Sequence, residues 1–139
     1  MLQHSAALTL VQEVFAAFGR GDVPAILERL TDDVVWDVTG PPRTSYAGLR
    51  RGRDAALDFF RVLGQTVDVQ RFEPREFIVQ GDTVVVLGQE TLRVKSTGAI
   101  AENRWVMVFT CRDGHIAQFR EFDDTAAVAA AFAPLPSPD

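Results

Sequence analysis

Two runs of alternating residues, Asn103 to Cys111 and His115 to Asp123, are separated only by Arg112-Asp113-Gly114. A chain with that pattern folds back on itself as an antiparallel pair. Glycine takes a left-handed backbone cheaply, so the spacing predicts a three-residue loop: a type I turn extended by Gly114. Such a loop sets Cys111 opposite His115, Phe109 opposite Ala117, Met107 opposite Phe119 and Trp105 opposite Glu121. One face then carries Trp105, Met107, Phe109, Ala117 and Phe119 around a single carboxylate, Glu121. An acid among aromatic side chains is costly unless it is paired or used. Glu121 is therefore the candidate site.

Upstream, Leu8, Val11, Val14, Phe15 and Phe18 recur at helical spacing and predict an amphipathic helix from about Ser5 to Phe18, stopped by Gly19-Arg20-Gly21. Asp22 suits an N-cap, Pro24 is tolerated in a first turn, and Ile26, Leu27 and Leu30 face inward on a second helix. A short strand, Val34 to Val38, follows. Gly40-Pro41-Pro42 through Gly48 reads as loop, because consecutive prolines suit neither helix nor strand. A third helix is expected from about Arg53 to Leu63, burying Ala56, Leu57, Phe60 and Leu63.

The chain then turns to strands. Thr66 to Val79, interrupted by Pro74, reads as one long bent or bulged strand. Gly81-Asp82 is a hairpin turn, Thr83 to Lys95 a β-branched run, and Ser96 to Ala101 a second turn before the hairpin. Asp124 suits the cap of a closing helix, Thr125 to Phe132. Residues 1–133 are thus expected to form one domain, with 134–139 as a flexible tail. Segregated helices and a meander of strands specify an α+β fold. The expected architecture is a cone-shaped, curved antiparallel sheet wrapped around three N-terminal helices, its open end a pocket.

Bulk properties narrow the function. A net charge of −5 argues against a nucleic-acid binder, which holds phosphates with excess cations. A single cysteine, Cys111, allows no internal disulfide and reads as a buried strand residue; with two separated histidines it gives no zinc spacing. No metal and no organic cofactor is expected. Neither a signal peptide nor an apolar run of membrane-spanning length is visible, so the expected setting is cytoplasmic, without membrane contact.

The order of elements, with Asp32-Asp33-Val34-Val35-Trp36, Tyr46 to Arg53, Phe59-Phe60 and Phe119 to Thr125, resembles the SnoaL-like, polyketide cyclase-like branch of the nuclear transport factor 2-like superfamily. The resemblance spans about residues 5–132. It implies the cystatin-like roll of that superfamily, whose members include polyketide cyclases, ketosteroid isomerases, limonene epoxide hydrolases, and ligand-binding or adaptor proteins without catalysis. A ketosteroid isomerase of this kind would carry its base at Val38, its oxyanion-hole tyrosine at about Val14 and its protonated acid at about Met107. None of these can move a proton, so that activity is not expected.

Limonene epoxide hydrolases hold water with a tyrosine and an asparagine where this chain has Trp36 and Val38. Their last-strand carboxylate corresponds to Glu121, and their partner acid and arginine fall near Glu102, Asn103 and Arg104. A SnoaL-type cyclase needs one acid/base residue, which Glu121 can supply. The resemblance thus implies acid/base catalysis of cyclase, isomerase or hydrolase type on a hydrophobic small molecule. A non-catalytic pocket or an adaptor of the same fold is the alternative.

Each candidate has two readings. Glu121 is either a general acid/base or a structural carboxylate paired with an arginine or capping backbone amides. Trp36, Val38, Tyr46, Trp105, Met107, Phe119, Phe15, Phe18 and Phe60 either line a substrate cavity or fill the core. Trp105 and Trp36 would orient the substrate, and Tyr46 would donate to an oxyanion. Asp37 alternates with Trp36 and Val38 and so faces away. Glu90 shares the parity of Val84, Val86, Leu92 and Val94, which makes it a second cavity acid or a buried partner to arginine at an interface. His115 flanks the turn and is expected to be exposed. Arg43, Arg50, Arg51 and Arg53 form either an anion site or a solvated loop. On the opposite sheet face, Val106, Val108, Ile116 and Phe122 alternate with Arg104, Gln118 and Arg120, a stripe suited to a homodimer interface.

Overall fold

Local signals account for most of the helices. The computed structural model describes residues 5–42 and 44–134. Helix α1, Ala6–Gly19, starts where the Ser5 hydroxyl accepts the Leu8 N–H, and buries Leu10, Val11 and Val14 along one side. Helix α2, Val23–Glu28, is capped by the Asp22 carboxylate on the Ala25 N–H, with Pro24 in its first turn. Helix α3, Arg53–Thr66, buries Ala56 and Phe59 most deeply, with Phe60 and Leu63 half-buried. Leu57, expected inside, is only half-buried, because the helix turns Phe59 toward the sheet. Helix α4, Thr125–Phe132, is capped by Asp124 on the Ala127 N–H, as its sequence predicts. Of the tail expected at 134–139, only Pro134 lies within the described residues.

Six strands form one sheet in the order β2-β1-β6-β5-β4-β3. They are β1, Leu30–Val38; β2, Gly48–Arg51; β3, Val67–Gln80; β4, Thr83–Val94; β5, Ile100–Arg112; and β6, His115–Asp123. Together with the helices this is a mixed α+β architecture with a curved, open sheet. One pairing departs from the expected antiparallel pattern: β1 runs parallel to β6, with Trp36 beside Phe119 and Val38 beside Glu121. Strand β2 was not foreseen. Its four residues pair with β1 as a short polar edge, a length too small to show periodicity.

Bulges bend β3. Its register to β4 shifts between Val69 and Arg71 and again between Pro74 and Glu76, the second shift beside the proline that cannot donate to the ladder. Opposite the second bend, Gly88 on β4 faces Trp105 on β5. A Cβ at Gly88 would sit 2.4 Å from the indole and 2.5 Å from the Glu73 carbonyl oxygen. Only glycine allows the indole to lie flat on the sheet there.

The β5–β6 hairpin corrects the predicted register. Arg112 pairs with His115, so the loop is Asp113-Gly114 alone, with φ of 53° and 76°. Two successive left-handed residues form the mirror-image turn that matches strand twist, and aspartate tolerates that conformation. A bulge then falls at Ala117, because Cys111 faces Ile116 while Thr110 faces Gln118. Phe109 consequently meets Phe119, Met107 meets Glu121, and Trp105 meets Asp123. The pairing has slipped by two residues. An even slip preserves the side of the sheet, so Glu121 still points inward. The bulge does move Ile116, which is fully buried in the core instead of joining the outer stripe. His115, at the turn, is half-buried with its ring nitrogen on the Asp113 carbonyl.

Candidate functional site

The concave side of the sheet and helices α1, α2 and α3 enclose a cavity of about 60 Å³. One water centre needs about 10–15 Å³, so this space suits roughly four to six waters or a single small ring. Its wall is aromatic. Trp36 stacks on Phe119 at 4.0 Å between ring centroids, and Phe59 and Phe60 lie tilted against the tryptophan at 5.6 and 5.4 Å. Phe15, Phe18 and Phe72 complete a second aromatic group, with Phe18 and Phe72 at 4.9 Å. Only two charged side chains, Glu90 and Glu121, line this cavity among the described residues, and both are acids.

Glu90 on β4 and Glu121 on β6 come together across the central strand β5, joined by Asp123. One carboxylate oxygen from each of the three lies within 4.8 Å of the others. Burial, together with the neighbouring Asp123 charge, raises the Glu121 carboxyl well above the ordinary range; a hydrogen bond to Asp123 favours its protonated form. Burial also raises Asp123, against which the bonds from Glu121 and Asn103 work. Glu90 is pushed up to about 8 by burial, partly offset by a hydrogen bond from Asn103. Three oxygens at this spacing have the geometry to chelate a cation, but an apolar wall and raised affinities for protons also suit neutral carboxyls.

Asn103 organises the group. Its amide nitrogen donates to Glu90 at 2.8 Å, and its oxygen accepts the Asp124 N–H at 2.9 Å, where α4 begins. The side chain is 1% exposed. Replacing it with leucine takes this donor from the buried Glu90 carboxyl, while the Asp124 N–H keeps the Arg104 carbonyl as an acceptor at 3.1 Å. Asn103→Leu is expected to lower unfolding free energy by about 1–3 kcal/mol, read from urea denaturation. A change under half a unit would show that these bonds are dispensable.

Tyr46 enters from the loop before β2. It packs edge-on to Phe59 and is 3% exposed, yet its hydroxyl has no hydrogen-bond partner among the described residues. Burial first, then the charges of Asp123, Glu90 and Glu121, raise its phenol far above the ordinary range, so it stays a donor. The loop is stapled by Arg50, which donates to the Tyr46 carbonyl at 2.7 Å and lies over the Phe59 ring. Arg53 holds the Leu30 carbonyl and Asp32. These arginines therefore serve the scaffold; Arg43 lies outside the described residues.

Of the residues singled out in the sequence, Trp36, Tyr46, Met107, Phe119, Phe15, Phe18, Phe60 and Glu121 line the cavity. Val38 and Trp105 do not. Val38 is fully buried beside Glu121, and Trp105 is stacked on Phe72 at 5.1 Å, held in that direction by the gap at Gly88. Asp37 is half-buried between two buried neighbours, in keeping with the alternation. Glu90 is a cavity acid. Asp123 and Asn103 were not chosen as site residues, although strand alternation carries both on the face of Trp105 and Glu121; parity gives the face but not which polar groups meet across it.

Known proteins are similar to this chain in sequence and in fold. A family model described as a SnoaL-like domain matches residues 11–119. The structure is similar to a nuclear transport factor 2-like protein from Burkholderia xenovorans, 34% identical, covering 96% of this chain and 100% of that one with a TM-score of 0.84. It is similar also to TerC, crystallised with polyporic acid: 27% identical, covering 91% and 98%, with a TM-score of 0.82. An uncharacterised protein of Mycobacterium tuberculosis is 27% identical over 91% of this chain and 95% of its own length.

Proposed function

We propose that this chain, which belongs to the SnoaL-like domain family, performs cofactor-independent acid/base catalysis on a small hydrophobic carbonyl compound. One observation carries the reading: a carboxyl with a raised affinity for its proton, Glu121, on the wall of an aromatic cavity. Such an acid can hydrogen-bond a carbonyl oxygen and release its proton as negative charge develops there. Tyr46 supplies a second donor without a competing partner. The surrounding rings exclude water and orient a flat substrate. That the similar protein TerC was crystallised with polyporic acid supports a small organic molecule as the ligand class.

The test is proton exchange. Acetophenone, cyclohexanone and 2-cyclohexenone would be incubated with the protein in D₂O, and loss of their α-proton signals followed by NMR. Acceleration by the wild type and its loss in Glu121→Gln are expected. No acceleration with any of the three would favour a non-catalytic ligand pocket instead.

The same reading takes residues 1–133 as one working unit in a cytoplasmic setting; among the described residues no helix is long and apolar enough to cross a membrane. It also includes a homodimer through the outer face of β5 and β6. Phe122 is 46% exposed there, with Val106 and Val108 half-buried beside it. Sedimentation equilibrium at micromolar concentration is expected to give twice the chain mass, and Phe122→Lys to give monomer. A monomeric wild type would overturn the interface.

A further inference from the structure

We infer that Glu90 is the base that works opposite Glu121, so that the cavity removes a proton from carbon while placing another on oxygen. The inference rests on the acid/base reading above and assigns it a second reacting group and a substrate class. Both carboxyls line the same cavity, and their oxygens lie within 4.8 Å of one another. The surroundings divide their roles. Glu90 receives an N–H from Asn103 at 2.8 Å, which favours its carboxylate form. Glu121 instead faces carboxylate neighbours and, when protonated, donates a hydrogen bond to Asp123, which favours the acid form. Burial raises both carboxyls, but the N–H donor beside Glu90 and the carboxylate acceptor beside Glu121 give them unlike surroundings, suited to opposite halves of one proton transfer.

The groups facing Glu90 are all accounted for among the described residues. Asn103 comes from β5, Glu121 and Asp123 from β6, and Tyr46 from the loop before β2. On β3 its cross-strand neighbour is Phe72, and α1 and α3 present aromatic and aliphatic side chains. Among the described residues no cation lines the cavity to hold Glu90 in a permanent ion pair. Its bond to Asn103 leaves the other carboxylate oxygen free to meet substrate.

The step balances without a further reactant. The Glu90 carboxylate takes a proton from the carbon beside a carbonyl, and the C–H electron pair becomes a carbon–carbon double bond. The carbonyl π pair moves to oxygen, which takes the proton of Glu121 while Tyr46 donates a hydrogen bond. The products are an enol, a protonated Glu90 and an ionised Glu121. Return of the Glu90 proton to the same or a conjugated carbon, with Glu121 reclaiming the enol proton, resets both. The substrate class is therefore an enolisable ketone or aldehyde, with one small ring in the cavity.

The experiment compares wild type, Glu90→Gln and Glu121→Gln in acetophenone α-proton exchange between pD 5 and 9, with and without EDTA. Glutamine at position 90 can still accept the Asn103 N–H, so the fold is expected to persist; circular dichroism checks it. Expected are a loss of about 100-fold or more in kcat for each variant, little change in KM, and a wild-type rate that climbs with pD as Glu90 ionises. EDTA should have no effect. If Glu90→Gln stays within about threefold of wild type while Glu121→Gln is inactive, the inference fails and the reading of Glu121 stands. If both variants keep the rate, or the wild type has none, that reading fails as well. Loss of exchange on chelation, restored by Mn²⁺, would replace the base with a metal held by the three acids. Should Glu90→Gln not fold, Glu90→Asp is read instead: a loss of about tenfold is expected from a base set back by one methylene, and an unchanged rate overturns the proposal.

Discussion

Glu121→Gln is expected to lower turnover by about 10²- to 10⁴-fold while leaving the fold and substrate binding nearly intact. Glutamine has the shape of glutamic acid, and its amide can donate to Asp123 in place of the carboxyl proton that does so now. The packing against Met107 and Phe119 is unchanged by such a swap. What disappears is a transferable proton at the carbonyl oxygen. An interaction made only in the transition state shows as a fall in kcat with KM preserved. α-Proton exchange measured across ketone concentration separates the two parameters. A variant that keeps full turnover would make Glu121 a structural group.

The second large effect concerns pH. The protein is expected to lose stability steadily as pH rises from about 4.5 to about 8, the interval over which Glu90 is ionised when unfolded but protonated when folded. The sign follows from proton counting. The folded affinity is raised, so the native state holds more protons in this window and each unit of pH favours the unfolded chain. The stabilisation is complete below pH 4.5 and gone once the folded Glu90 has also ionised. Glu121 and Asp123, both raised, act in the same direction. Asp33 is held below the ordinary range by Arg112 and acts in the opposite direction, but it is solvent-exposed. At about 1.4 kcal/mol per unit of pH for each group, the loss amounts to several kcal/mol. Urea midpoints at pH 5 and 8 should differ clearly for wild type, and by a smaller margin for Glu90→Gln, in which Glu121 and Asp123 remain. A flat wild-type profile would mean that the acids ionise freely, through water reaching the cluster.

These two effects share one cause. A protonated acid useful for catalysis is also a group whose ionisation opposes the fold, so the cavity couples working pH to stability. Between pH 7 and 8 Glu90 begins to ionise, and the base becomes available where the scaffold begins to weaken. The Asn103 bond eases this conflict by stabilising the Glu90 carboxylate inside the protein.

Much of the architecture was legible because its causes are local. The Asp22 and Asp124 caps, the bend at Pro74 and the apolar spacing of α1 depend on residues a few positions apart, and each lies where the sequence predicts. The inward parity of Glu121 was legible too, and it survived an error in the turn: the two-residue loop Asp113-Gly114 and the bulge at Ala117 each shift the pairing by one, together an even number. The same bulge turned Ile116 inward, because bulges arise from pairing geometry that single-strand alternation does not contain.

The aromatic lining could be named residue by residue, but not divided. Trp36 faces the cavity and Trp105 packs beside it, and that difference depends on the space left at Gly88 on another strand. The sequence by itself determined the fold class, the helix ends and the face that carries Glu121, since periodicity, capping and turn chemistry act over short stretches of chain. Only the tertiary structure decided that Glu90, Asn103 and Asp123 would gather around Glu121. They come from three strands whose alignment is set by turns and bulges elsewhere, and carboxyl groups acquire shifted proton affinities only when packing removes water and brings them together.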